Sequence, residues 1–367
     1  MMKRDSSFDR KVFLLFLALL PCLSAPSWAQ STVYVDVNDV NCSEPGPGTE
    51  ETPYCSIQYA ICAIKDTGGG TVLVKPGYYN ESLRMFQDIS VISTDGPAVT
   101  TIDATGQPCT TRDCIPSTQN LTCSVVVYGS GPTNDDRLEG FYITGGSGLY
   151  RDLGPAGYAV TGGGVFVYNS SPTITNNEIG SNILYSSGTK NYWGGGIYLG
   201  GGSYSSPTQP VITYNLIQEN TANPPKGSGA TYSFGIGGGI YIGAATAPII
   251  SSNTIRSNQA GDSSISRQTG SGGGIYVYAL SDALTPLMSQ NLIQDNAAAD
   301  FGGGIFFGQS LDQTLTYYHP TLGTVENNII ELNRSFSGGG FLTGTTEALL
   351  FGNTIADNIA DFGGGGA

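Results

Sequence analysis

The chain has 367 residues, of which 53 are glycine and only 12% are charged, with 21 Tyr and 14 Phe. Glycine at about twice and charge at about half the usual share exclude a long-helix or coiled-coil protein, and the aromatic content excludes a disordered polar chain. A formal net charge of −14 excludes a nucleic-acid partner, whose phosphates would be repelled.

In chain order, Lys3, Arg4, Arg10 and Lys11 precede an apolar run from Val12 to Leu20, and Ser27-Trp28-Ala29 follows with small residues at a cleavage position. This predicts a secretory signal over residues 1–29 and an exported domain over residues 30–367. The run is too short for a bilayer, which needs about 20 residues, and no later segment reaches that length, so no membrane span is predicted. The protein is expected to be secreted, extracellular or at the cell surface, or periplasmic. Removing residues 1–29 takes four basic and two acidic side chains and brings the net charge from −14 to −16. Such a field disfavours anionic membranes and bare polyuronates and fits a neutral polysaccharide or a surface protein as partner.

Residues 30–160 hold six cysteines, Cys42, Cys55, Cys62, Cys109, Cys114 and Cys123. In an exported chain they predict up to three disulfides, with the pairing left open. Ser56 is placed to cap a short helix in which Ile57, Ala60, Ile61 and Ile64 share a face. Strand-like segments follow at Val72 to Val74, Ile89 to Ile92, Val99 to Ile102, Val125 to Tyr128 and Phe141 to Thr144. The helix would cover the open edge of a first coil, and the cysteines would staple it.

Residues 161–367 repeat. Gly-Gly-Gly before an apolar residue starts at Gly162, Gly194, Gly237, Gly272, Gly302 and Gly338, and Asn-x-Ile-x-x-Asn starts at Asn177, Asn215, Asn253, Asn291, Asn328 and Asn353. Pro172, Pro210, Pro248 and Pro286 stand five places before that asparagine. Each unit reads as three short strands with period-2 alternation, wound into one turn of a solenoid whose turns stack about 4.8 Å apart. Glycine and asparagine are expected at the corners because both tolerate left-handed dihedrals. The second asparagines, Asn182, Asn220, Asn258, Asn296, Asn333 and Asn358, are expected to form an inward hydrogen-bonded ladder. The remaining residues of each unit are expected to be loops.

Val33-Tyr34-Val35-Asp36, the capping helix and the segment from Thr71 to Tyr79, followed by these repeats, resemble the right-handed parallel β-helix (pectate-lyase-like) superfamily. The glycine and asparagine signatures are similar to the repeats of chlamydial polymorphic outer-membrane proteins. The resemblance implies an all-β, right-handed single-stranded parallel β-helix with an N-terminal capping helix, and a binding or adhesive scaffold at the cell surface. The alternative is a carbohydrate-active enzyme, a polysaccharide lyase or glycoside hydrolase, with its site in the long loops. A seventh glycine run begins at Gly363, so we expect either a continuing chain or a coil edge covered by another chain; otherwise no oligomer is expected.

No catalytic set is legible. Gly77 to Glu81 is similar to a turn of pectin methylesterases, without their later motifs. His319 is the single histidine; Arg256, Arg267 and Arg334 are the least implausible bases, and Asp300 and Asp361 recur in Ala-Asp-Phe-Gly-Gly-Gly. No cofactor is expected, with calcium the one cation considered, at Asp135, Asp136 and Glu139. Strand alternation sends Phe166, Tyr198, Tyr241, Tyr276 and Phe306 outward from successive coils. Either this stripe is exposed and stacks on sugar rings or it is a ladder covered by loops.

Overall fold

A computed structural model describes residues 31–109, 114, 123–152, 158–184, 191–203, 206–223, 233–262, 268–278, 285–308, 323–344 and 347–366. The expected signal over residues 1–29, Arg267 and His319 lie outside the described residues.

Each turn of chain runs through three strands that join three long parallel sheets. The first sheet has ten strands, from Ser31–Val35 and Gly70–Val74 to Leu349–Phe351; in the repeats its strands, such as Thr173–Thr175 and Val211–Thr213, follow the prolines. The second has nine strands and follows the first asparagine of each motif, as in Glu178–Gly180 and Leu216–Gln218. The third has eight and follows the glycines, as in Val165–Tyr168 and Ile197–Gly200. Strands one turn apart pair in register, Ile174 with Ile212 and Ile197 with Ile240. The fold is a right-handed parallel β-helix, the hand that connections between parallel strands almost always take.

Alternation explains the core. Ile174, Ile212, Ile250 and Met288 on the first sheet, Ile179, Ile217, Ile255 and Ile293 on the second, and Val165, Ile197, Ile240 and Ile275 on the third are fully buried. A coil contributes three such side chains, roughly 1.5–3 kcal/mol each. Their cover comes from the coils above and below, so no coil is stable alone.

The corners correct one expectation. The left-handed residue is the one before each asparagine: Tyr214 at φ 58°, Ser252 at 58° and Leu332 at 56°, among others. The asparagine itself turns inward. Glycine is needed where expected, since Gly194 has φ +70°, and a Cβ on Gly238 would sit 2.5 Å from the Gly273 carbonyl of the next coil.

Both asparagine rows are ladders, not the second alone. Asn182 Nδ2 donates to Asn220 Oδ1 at 2.9 Å, and the row continues through Asn258, Asn296 and Asn333 to Asn358. Asn177 starts the other, donating to Asn215 Oδ1 at 3.2 Å, and that row runs on to Asn353.

The helix spans Ile57–Ile64 and buries Ile57, Ala60, Ile61 and Ile64 over the first coils. Ser56 makes no side-chain cap. Instead Glu81 accepts from the N–H groups of Ile57 and Gln58, both at 2.8 Å, while Ser56 donates to Glu44. The six cysteines form Cys42–Cys55, Cys62–Cys114 and Cys109–Cys123. Among the described residues no helix is long and apolar enough to cross a membrane.

Residues expected to be loops also form strands. Asn191–Trp193, Ser233–Ile236 and Gln268–Ser271 build a fourth, five-stranded ladder that opens with the hairpin of Leu149–Asp152 and Tyr158–Thr161, the one antiparallel strand pair among the described strands.

Candidate functional site

The outward aromatic row exists, and the fourth ladder buries it. Phe166, Tyr198 and Tyr241 are each 5% exposed, Tyr276 is 6%, and Phe306 is partly buried. The first four rings stack coil to coil with centroids 5.1, 5.1 and 5.6 Å apart, and Phe306 meets Tyr276 tilted, at 5.6 Å. Trp193 lies on Tyr241 at 5.3 Å, and Leu149 and Ile236 pack beside it. Arg151, from the hairpin, sits 4.3 Å from the Tyr168 ring and donates to the Tyr198 hydroxyl at 2.9 Å. Burial pushes the Tyr241 phenol well above its ordinary pKa. The row is therefore a second core, and the exposed sugar-stacking stripe is corrected. Strand residues in the supposed loops supply its apolar cover.

The calcium candidates also separate. Asp136 is 2% exposed and accepts from the Thr133 N–H at 2.5 Å, closing its own turn; burial raises its pKa. Glu139 pairs with Arg137 at 2.6 Å and accepts from Asn176, while Asp135 is exposed. Among the described residues no three His, Cys, Asp or Glu side chains are grouped to hold a metal ion. Asp300 accepts from the Gly270 N–H at 2.8 Å, Asp361 pairs with Arg334 at 3.0 Å, and Arg256 donates to Gln218. The structure brings none of these to a common centre.

It assembles a different site, which the sequence reading missed. The turns that carry the chain from the third sheet to the first, in three successive coils, enclose an open groove of about 590 Å³. Gly131 to Asn134 form one wall segment, Asn169 to Ser171 the next, and Gly202, Ser203 and Ser206 to Gln209 the third. Gly131, Asn169, Gly201 and Gly202 have φ of 124°, 54°, 96° and 81°, which folds each turn back sharply. The turns are tied together: Asn169 Oδ1 accepts from the Gly202 N–H at 2.6 Å, and Ser171 Oγ from the Gln209 N–H at 2.9 Å. The Asn134 side-chain amide lies against the carbonyls of Gln209 and Ser171, which its nitrogen satisfies when the amide is turned toward them.

Among the described residues no charged side chain lines this groove. Ser170 is 3% exposed, and among the described residues its hydroxyl has no hydrogen-bond partner. The sequence signal, visible in retrospect, is the run of uncharged polar residues a few places before the first-sheet strand in three consecutive coils.

No protein-family profile and no curated protein matches this chain by sequence. Among solved structures, the Escherichia coli protein YbhC is 13% identical, with 95% of this chain and 88% of that one aligned at a TM-score of 0.44. Rice weevil pectin methylesterase is 11% identical over 89% and 91%, at 0.39. The A-module of the Azotobacter vinelandii mannuronan C-5 epimerase AlgE6 is 16% identical over 83% and 95%, at 0.30. At these levels the likeness says nothing about activity. The strand register itself defines the class: a parallel β-helix with a covered aromatic ladder and an uncharged corner groove.

Proposed function

We propose that the protein is an exported binding scaffold whose corner groove takes a neutral glycan. The observation that carries this reading is the groove itself: hydroxyls and amides from three coils and, among the described residues, no charged lining side chain. Neutral polyols present many hydroxyls that donate and accept, and such a surface matches them without a charge penalty. The net charge of −14 disfavours acidic glycans further. Among the described residues the groove lining holds hydroxyls, amides and backbone groups and neither a carboxylate nor a basic side chain, which suits hydrogen bonding to a neutral ligand. Three disulfides near the N-terminus accord with export, as does the basic and apolar leader of the sequence. The adhesive role implied by the repeat resemblance is of the same kind.

The test is retention on a panel of neutral and acidic oligosaccharides, comparing wild type with Gln209→Ala, at an exposed position of the groove wall. Neutral glycans should be retained, and the substitution should weaken them about fivefold, the worth of one hydrogen bond. Unchanged retention by Q209A, or equal retention of acidic glycans, would remove the groove from consideration. Release of new reducing ends or unsaturated uronates that depends on one loop carboxylate would replace this reading with the enzymatic one.

A further inference from the structure

We propose that the ligand of the corner groove is a straight, extended oligosaccharide whose chain runs on along the same corner, past Gly131, into a second cavity beside the capping helix. This rests on the reading of the groove as a neutral-glycan site. The second cavity, of about 500 Å³, is walled by Gln87 and Asp88 from one coil and by Gly129 and Ser130 from the next. Phe86 to Asp88 join Leu83–Met85 of the third sheet to Ile89–Ser93 of the first, which is the connection made one coil later by the turn of Gly131 to Asn134. Both cavities therefore lie on one corner of the solenoid.

They meet where Ser130, in one, precedes Gly131, in the other. A Cβ on Gly131 would lie 3.4 Å from Gln87 Cβ and from Gln87 Oε1, so the Gln87 amide stands at the junction and glycine leaves it without a side chain. Gln87 and Ser130 are exposed, and among the described residues neither side chain has a hydrogen-bond partner. The opposite end of the groove offers a ligand much less. There the next turn, Gly243 to Ala247, carries Ala244, Ala245 and Ala247 where the earlier turns carry amides and hydroxyls. Its Thr246 hydroxyl accepts from Thr208 and donates to the Gly201 carbonyl, both at 3.3 Å. A chain longer than the groove thus finds new hydrogen-bonding groups toward the helix.

The charged residues of the second cavity, Lys65, Asp66, Arg84 and Asp88, sum to zero, and Lys65 is held by Asp66 at 2.6 Å, so no net charge selects an ion there. Free amide and hydroxyl groups on an uncharged wall suit sugar hydroxyls, as they do in the groove. The coils climb the corner in equal steps of about 4.8 Å. The chain that follows them is one that keeps a straight course, as cellulose-like glucans do, and not one that coils, as starch-like glucans do.

Cello-oligosaccharides from the disaccharide to the hexasaccharide are titrated into the full chain by calorimetry, with malto-oligosaccharides of the same lengths as the coiling control. The shortest members fill the groove alone, and affinity should climb as the chain reaches the second cavity. Gln87→Ala should weaken the hexasaccharide about fivefold, the worth of one hydrogen bond, with a loss that grows with chain length, whereas Gln209→Ala weakens every length. Ser130→Trp, a bulky ring at an exposed position of the junction, should remove the gain from length. Affinity independent of length, an equal gain in the malto series, or a gain that survives both Q87A and S130W would overturn the extension and leave the groove in place. Absence of binding by every cello-oligosaccharide would overturn it too, while the wider oligosaccharide panel with Q209A decides the groove separately.

Discussion

Asn258 uses its whole side chain. Nδ2 donates to the Ile217 carbonyl at 2.9 Å and to Asn296 Oδ1 at 3.0 Å, while Oδ1 accepts from the N–H of Asn220 at 3.0 Å and from its Nδ2 at 3.0 Å. All of this is buried, so Asn258→Ala leaves several polar groups without water or partner. A loss of about 3–5 kcal/mol is expected, since each buried orphan costs about 1–3 kcal/mol. Asn191, whose Nδ2 donates to the Tyr158 carbonyl at 3.1 Å in an exposed hydrogen bond, is the comparison, and Asn191→Ala should cost about 1 kcal/mol or less because water replaces what is lost. Urea midpoints for the two variants check this; equal shifts would contradict a ladder role graded by burial. The asparagines were legible because they recur at fixed spacing. The left-handed residues before them were not, because Tyr214 and Leu332 are not turn formers and the winding imposes the dihedral on them.

Among the elements, the capping helix was legible in extent but not in how it starts. Its N-terminus is closed by Glu81, more than twenty residues on, in the turn between Gly77–Tyr79 and Leu83–Met85. Burial pushes the Glu81 carboxyl up to about 7 from an ordinary 4.5, although both N–H donors pull it down. A raised folded-state pKa means stability that is fully present below about pH 4.5 and lost as pH rises through about 7. Glu81→Gln keeps one acceptor and cannot ionise. Its thermal midpoint relative to wild type should therefore improve steadily from pH 4.5 to 7; a constant difference would contradict the assignment. The fourth ladder escaped the sequence reading for a different reason. Asn191–Trp193 and Ser233–Ile236 share no motif from coil to coil, so their segments read as variable loops. Without that cover the alternation of Phe166, Tyr198 and Tyr241 left both an exposed and a buried row open.

At the scale of the whole molecule the solenoid was legible because one unit is repeated and the repeat spacing sets the register. The groove was not, since it belongs to no unit. Asn134, Ser170 and Gln209 come from three coils and become neighbours only when the coils stack. The same stacking makes the scaffold rigid, so a ligand in the groove should protect the turns around it and little else. Amide hydrogen exchange with and without a retained neutral oligosaccharide is the most direct measurement. Slowed exchange confined to residues 131–134, 169–171 and 206–209 is the predicted result; protection centred on the fourth ladder over Tyr198 and Tyr241, with the corner turns unchanged, would contradict it.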